Sequence, residues 1–159
     1  MKIAVFSDSH GPIDGIRQGL KELPEVDQLL FAGDGIRNLV DSNLARELKI
    51  AAVKGNRDQG IEFPEEKVVE LAGRKFLVTH GDDYGVQWGL DKLDYRAREL
   101  GVEVVIFGHT HRRYANQKNG ILFFNPGSIT SPRDQLPPSY GLIEIKEGKM
   151  NYTHYEVNV

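Results

Sequence analysis

Five short segments of this 159-residue chain carry side chains that bind cations: Asp8-Ser9-His10, Gly33-Asp34-Gly35, Gly55-Asn56-Arg57-Asp58, Thr79-His80-Gly81 and Gly108-His109-Thr110-His111. Each stands just past a short apolar run. Four of the five histidines fall within them, His154 being the exception. In open α/β sheets ligands sit in the crevice outside the carboxyl ends of the strands, so the five segments are expected to converge. Bringing Asp8, Asp34 and four imidazoles together without cations would leave desolvated charges and rings competing for few donors, which is costly. The candidate ligands are Asp8, His10, Asp34, Asn56, His80, His109 and His111. They are too many for one tetrahedral ion and suit two, with Asp34 as the shared carboxylate. Imidazole, carboxylate and amide without sulfur favour manganese, iron, zinc, cobalt or nickel over calcium or copper(I). Two such ions held close together hydrolyse phosphoryl groups: they grip substrate oxygens and lower the pKa of a trapped water.

Positioning these segments requires strands that end at one edge. Lys2 to Phe6, Gln28 to Phe31 and Ile50 to Val53 read as strands, alternating with helical patterns at Ile13, Ile16, Leu20, Leu23 and at Ile36, Leu39, Val40, Leu44, Leu48. That alternation predicts a mainly parallel sheet. Lys67 to Leu71 and Lys75 to Thr79 flank a glycine-containing loop and read as a hairpin, so the sheet arrangement is mixed. A third helix carries Val86, Leu90, Leu93, Ala97 and Leu100, with Gly101 placed to end it in a left-handed cap. After the buried strand Val104 to Phe107 come hairpins around Asn119-Gly120 and Gly148. The expected architecture is a four-layer α/β/β/α sandwich of two mixed β-sheets flanked by helices, with residues 1–159 as a single domain.

Composition narrows the alternatives. The net charge of −3 is too mild and of the wrong sign for broad attachment to nucleic acid or anionic membranes. The chain has no cysteine, so disulfides, thiolate metal sites and cysteine nucleophiles are excluded and a reducing compartment fits. The apolar run at the amino end is too short for a signal peptide's core, and nothing approaches the roughly 18 apolar residues that span a bilayer. The expectation is a cytoplasmic protein. The glycines from Gly33 to Gly35 superficially suggest a dinucleotide fingerprint, but the sixth position is Asn38 and the first strand is elsewhere. No P-loop and no G-x-S-x-G elbow occurs. A single Asp after a strand usually caps a helix, and a single His is usually structural. It is the conjunction of five segments that points to metals.

In this order, D-x-H, G-D, G-N-x-D, T-H-G and G-H-T-H resemble the motifs of the calcineurin-like metallophosphoesterases. With Asn125-Pro126-Gly127-Ser128 and the small size, the likeness extends to the prokaryotic YfcE-type phosphodiesterase branch. The resemblance implies that Asp8, His10, Asp34 and His111 hold one metal, and that Asp34, Asn56, His80 and His109 hold the other. It implies a metal-bridging hydroxide as nucleophile, a small phosphodiester as substrate, Asn56, Arg57 and His109 in catalysis, and a homodimer as a common assembly. Two positions depart from the family pattern. Arg57 stands where many members have a histidine that protonates the leaving group; an arginine braces phosphate oxygens but does not readily give up a proton. Activity is therefore expected to depend on a good leaving group. Asp82 stands where a second histidine is frequent, which alters substrate contacts and their selectivity against anions. Arg133, in a proline-bounded loop, is a further candidate for holding phosphate. The alternatives carried are a protein-interaction scaffold of the same fold, similar to the retromer sorting subunit, and a metal-binding regulator without turnover.

Overall fold

The computed structural model describes residues 1–158. Its first sheet is built from β1 (Lys2–Phe6), β2 (Gln28–Phe31), β3 (Lys49–Ala52), β9 (Ser139–Lys146) and β10 (Lys149–Glu156), in the order β10-β9-β1-β2-β3. The second holds β4 (Glu66–Leu71), β5 (Arg74–Thr79), β6 (Val104–Ile106), β7 (Arg113–Lys118) and β8 (Ile121–Pro126), in the order β4-β5-β6-β8-β7. Both are mixed. Strands β1, β2 and β3 run parallel, as do β5, β6 and β8, while hairpin partners β4, β7, β9 and β10 pair antiparallel.

Strand alternation sorts the apolar residues into three layers of core. Ile3, Val5 and Leu30 of the first sheet face Phe76, Val78, Ile106 and Phe124 of the second. The opposite face of the first sheet, with Ala4, Phe6, Leu29 and Phe31, packs on Ile16 of α1 (Asp14–Glu22) and on Ile36 and Leu39 of α2 (Ile36–Asp41). Leu77, Val105 and Phe107 of the second sheet pack on Leu93 and Ala97 of α3 (Asp91–Leu100). The four layers expected from the sequence are those observed.

The tight turns follow their residues. Ala72-Gly73, Asn119-Gly120 and Glu147-Gly148 all have both central residues at positive φ, the twist that closes a two-residue hairpin. Gly101 caps α3 at φ 65°. The helices are shorter than their apolar periodicity predicts. The second pattern breaks at Ser42-Asn43, where Asn43 turns left-handed at φ 60° and only a 3₁₀ turn, Leu44–Arg46, continues it. Val86 to Leu90 form irregular turns rather than the start of α3, and Trp88 is 88% exposed there. No helix among the described residues is long and apolar enough to cross a membrane.

Candidate metal centre

Parallel strands of both sheets end at the same side of the sandwich. Asp8 and His10 follow β1, Asp34 follows β2 and Asn56 follows β3; His80 follows β5, and His109 and His111 follow β6. All seven expected residues meet. His10 Nε2 lies 3.1 Å from His111 Nε2, and His80 Nε2 lies 3.0 Å from Asn56 Oδ1. His109 Nδ1 stands 3.2 Å from the same Asn56 oxygen and 3.3 Å from His80 Nε2. One ligand atom each from Asp8, His10, Asp34 and His111 falls within a sphere of mutual distances under 4.8 Å.

The two aspartates are held alike. Asp8 Oδ2 accepts from Ser7 Oγ at 2.7 Å and from the His109 amide at 3.1 Å. Its other oxygen, Oδ1, is buried with no hydrogen bond and faces His111 Nε2 at 3.2 Å, His80 Nε2 at 3.9 Å and His10 Nε2 at 4.0 Å. Asp34 Oδ1 accepts from the Arg57 amide at 2.8 Å. Asp34 Oδ2 lies between the two histidine groups, 3.3 Å from His80 Nε2 and 3.8 Å from His10 Nε2. Each carboxylate thus has one oxygen tied to the protein and one presented to imidazoles.

The histidines are oriented from behind. His80 Nδ1 donates to the Ala32 carbonyl at 2.7 Å, and His111 Nδ1 donates to the Ser131 carbonyl at 2.7 Å. A carbonyl only accepts, so Nδ1 carries the proton on both rings and Nε2 is the atom turned to the cluster. Burial opposes charging His80, but the Asp34 hydrogen bond and the charges of Asp8 and Asp34 outweigh it and raise its pKa to about 9. His111 is raised by its Asp8 partner against burial. His109 is lowered by burial and by the neighbouring His80. Burial alone would raise Asp34; the hydrogen bond and charge of His80 bring it below its ordinary value. The orphaned Asp8 oxygen and the crowded imidazole nitrogens describe a donor set in want of cations, and oxygen and nitrogen donors fit the borderline divalent ions.

Backbone strain accompanies this convergence. Asp8, Asp34, His109 and His111 all have positive φ, between 56° and 69°. Asp and His tolerate that region better than most residues, and such strain persists only where surroundings impose it. The chain at Gly108-His111 is therefore kinked rather than extended, and it sends His109 to Asn56 and His80 but His111 to Asp8 and His10. The glycines serve close approach. A Cβ on Gly55 would collide with Asp34, and one on Gly108 with Ser7 and Asp8.

Asp58 has a role that residue typing by ligand chemistry passed over. Its Oδ2 accepts from the amides of Asp34 at 2.7 Å and Gly55 at 2.8 Å, and its Oδ1 from those of Gly35 at 2.8 Å and Ile36 at 3.0 Å. It clamps the β2 and β3 loops together. The signal was present as the last residue of G-N-x-D. Asn125 and Ser128 act as supports: Asn125 Nδ2 donates to the Gly108 carbonyl at 3.0 Å, and Ser128 Oγ to the Asp8 carbonyl at 2.7 Å. Arg57 and Arg133 both line a cavity of about 360 Å³ over His10, Asp34, Asn56 and His111. Asp82 lies apart from it, beside Asn56 in a neighbouring cavity with Asp83 and Glu65.

Residues 1–148 match the profile of the calcineurin-like phosphoesterase superfamily domain. The chain belongs to that family. It is 35% identical over 157 residues to the probable metallophosphoesterase YsnB of Bacillus subtilis, covering 98% of this chain and 91% of that one. Phosphodiesterase YfcE of Escherichia coli is 29% identical, with coverage of 91% and 88%. Among solved structures, a predicted phosphoesterase from Streptococcus pneumoniae superposes with a TM-score of 0.85 at 34% identity, over 99% of this chain and 92% of that one. The metallophosphoesterase resemblance and the two-sheet fold are thereby established at family level.

Proposed function

We propose that this protein is a phosphodiesterase for small phosphodiesters, working with two divalent cations at the junction of its sheets. Asp8, His10, Asp34 and His111 would hold one cation, and Asp34, Asn56, His80 and His109 the other. The observation that carries the reading is Asp34: one oxygen is anchored on the Arg57 amide and the other lies between the His10 and His80 nitrogens. Manganese is the first choice, with iron, zinc, nickel and cobalt as alternatives. When bound, such ions supply a Lewis acid for phosphate oxygens and a water of lowered pKa.

The chain's own residues supply position and selectivity. Arg57 and Arg133 line the central cavity, where planar guanidinium groups can grip non-bridging phosphate oxygens. Asn56 and His109 complete the wall that orients the substrate. A guanidinium does not readily give up a proton, so the leaving oxygen departs without help from that side, and rates should fall as leaving-group pKa rises. Asp82 and Asp83 place negative charge beside Asn56, which disfavours the second charge of a monoester and supports preference for diesters. The assignment carries with it a single domain over residues 1–159, a cytoplasmic location, no stable nucleic-acid binding and a homodimer as the proposed assembly.

The test combines metal analysis of the purified protein with manganese-supported hydrolysis of bis(p-nitrophenyl) phosphate by wild type and Asp34→Asn. Wild type should bind about two ions per chain and turn over. The variant should lose roughly a hundredfold or more in rate, since even residues behind metal ligands are worth about 10–100-fold. Equal turnover by both would overturn the assignment.

A further inference from the structure

A second, larger cavity of about 1000 Å³ opens directly from the centre, sharing His109 and Arg133 with it. It exists because the single helix α3 covers only part of the outer face of the second sheet. The edge strand β7 is left open, and the cavity runs between Leu90 and Asp94 on one side and β7 on the other, over a floor of Phe107 and Phe123. Tyr114, Asn116 and Lys118 line it from one face of β7, as strand alternation requires, and Arg112 and Arg113 join them at the start of the strand. Tyr114 is 38% exposed, and its ring is braced by Phe107 at 6.0 Å between centroids.

The charges are not evenly committed. Asp94 pairs with Arg98 at 2.9 Å, and Arg113 pairs with Asp134 at 3.0 Å and Glu156 at 3.3 Å. Arg112 and Arg133 are exposed and belong to the groove. A half-exposed aromatic ring tilted 60° against Phe107, a guanidinium on one side and an amide on the other offer stacking, cation–π contact and hydrogen bonding to a planar heterocycle. Tyr114 is the second residue of β7, three residues past His111, and the groove that it lines reaches the centre at His109 and Arg133, so a ligand seated on the ring continues toward the phosphate position.

We infer that this groove is a subsite for the nucleoside of a nucleoside 5′-phosphodiester, with Tyr114 as the stacking platform, flanked by Arg112 and Asn116. The inference rests on the phosphodiesterase reading and narrows its substrate class. The two ester groups of the substrate are then treated differently: the nucleoside lies along β7, and the leaving group departs on the other side of the scissile phosphorus.

Two substrates that release the same phenolate separate the groove from the centre: methyl p-nitrophenyl phosphate and the p-nitrophenyl ester of thymidine 5′-phosphate. Wild type should prefer the thymidine ester in kcat/KM by about tenfold or more. In Tyr114→Ser the ratio of the two kcat/KM values should fall at least about fivefold, mainly through KM, the low end of what one lost stacking contact does. Tyr114→Phe should restore it. Calorimetric titration with thymidine 5′-phosphate should show the same order without turnover. An unchanged ratio in Tyr114→Ser, or nucleotide binding indifferent to that substitution, would overturn the subsite. Failure of wild type to hydrolyse either ester would instead overturn the phosphodiesterase reading, and the titration would still decide the groove.

Discussion

At the scale of single residues, placement rather than identity separates the aspartates. Asp8 and Asp34 are presented by their free oxygens, whereas Asp58 has both oxygens occupied by four backbone amides and acts as a brace. Asp58→Asn keeps the shape but replaces two acceptors by an acceptor and a donor aimed at amides. It should cost about 1–3 kcal/mol of stability and weaken manganese binding by about 10–100-fold, read from thermal unfolding and metal titration. Unchanged metal affinity would mean the loops hold Asp34 without it. His154 stands outside the cluster, on β10. It stacks on Phe124 at 4.5 Å and donates through Nε2 to the Asn125 carbonyl, and burial lowers its pKa below the ordinary 6.5. The unfolded chain therefore binds a proton first as pH falls. Stability due to neutral His154 is complete above about pH 6.5 and is lost as pH drops toward the depressed folded value. His154→Gln should be less stable at pH 7.5 yet lose less between pH 7.5 and 5.5 than wild type; parallel melting curves would refute this.

At the scale of elements, the decisive feature is how tightly the strand-end loops pass one another. Gly108 has no room for a methyl group against Ser7 and Asp8, so Gly108→Ala must push β6's loop away from β1's. The expected result is loss of metal binding by about tenfold or more with secondary structure retained, measured by metal titration alongside circular dichroism. Retained affinity would show that the loops separate without cost. A deletion far from the loops behaves differently. Leu93 of α3 is fully buried against Leu77, Val105 and Phe107, and Leu93→Ala should cost about 2–5 kcal/mol without altering metal stoichiometry.

At the scale of the whole molecule, the centre joins two sheets that otherwise meet through their shared apolar layer. Asp8, His10, Asp34 and Asn56 come from the first, and His80, His109 and His111 from the second. Cations bound across that seam favour the folded state by mass action, about 2.7 kcal/mol at a hundredfold excess over Kd. Manganese should raise Tm by roughly 5–11 °C for a chain of this size, and a chelator or Asp34→Asn should remove the increment. A Tm indifferent to manganese would leave the seam unbridged. The strands, the hairpins at Asn119-Gly120 and Glu147-Gly148, and the seven clustered side chains were all legible in the chain. Period-two burial, glycine-bearing turns and residue chemistry are local properties written residue by residue. The early end of α2, the exposure of Trp88, the brace made by Asp58 and the open face of β7 were not legible. Each depends on which surface another element covers, and that is settled only when distant segments pack together.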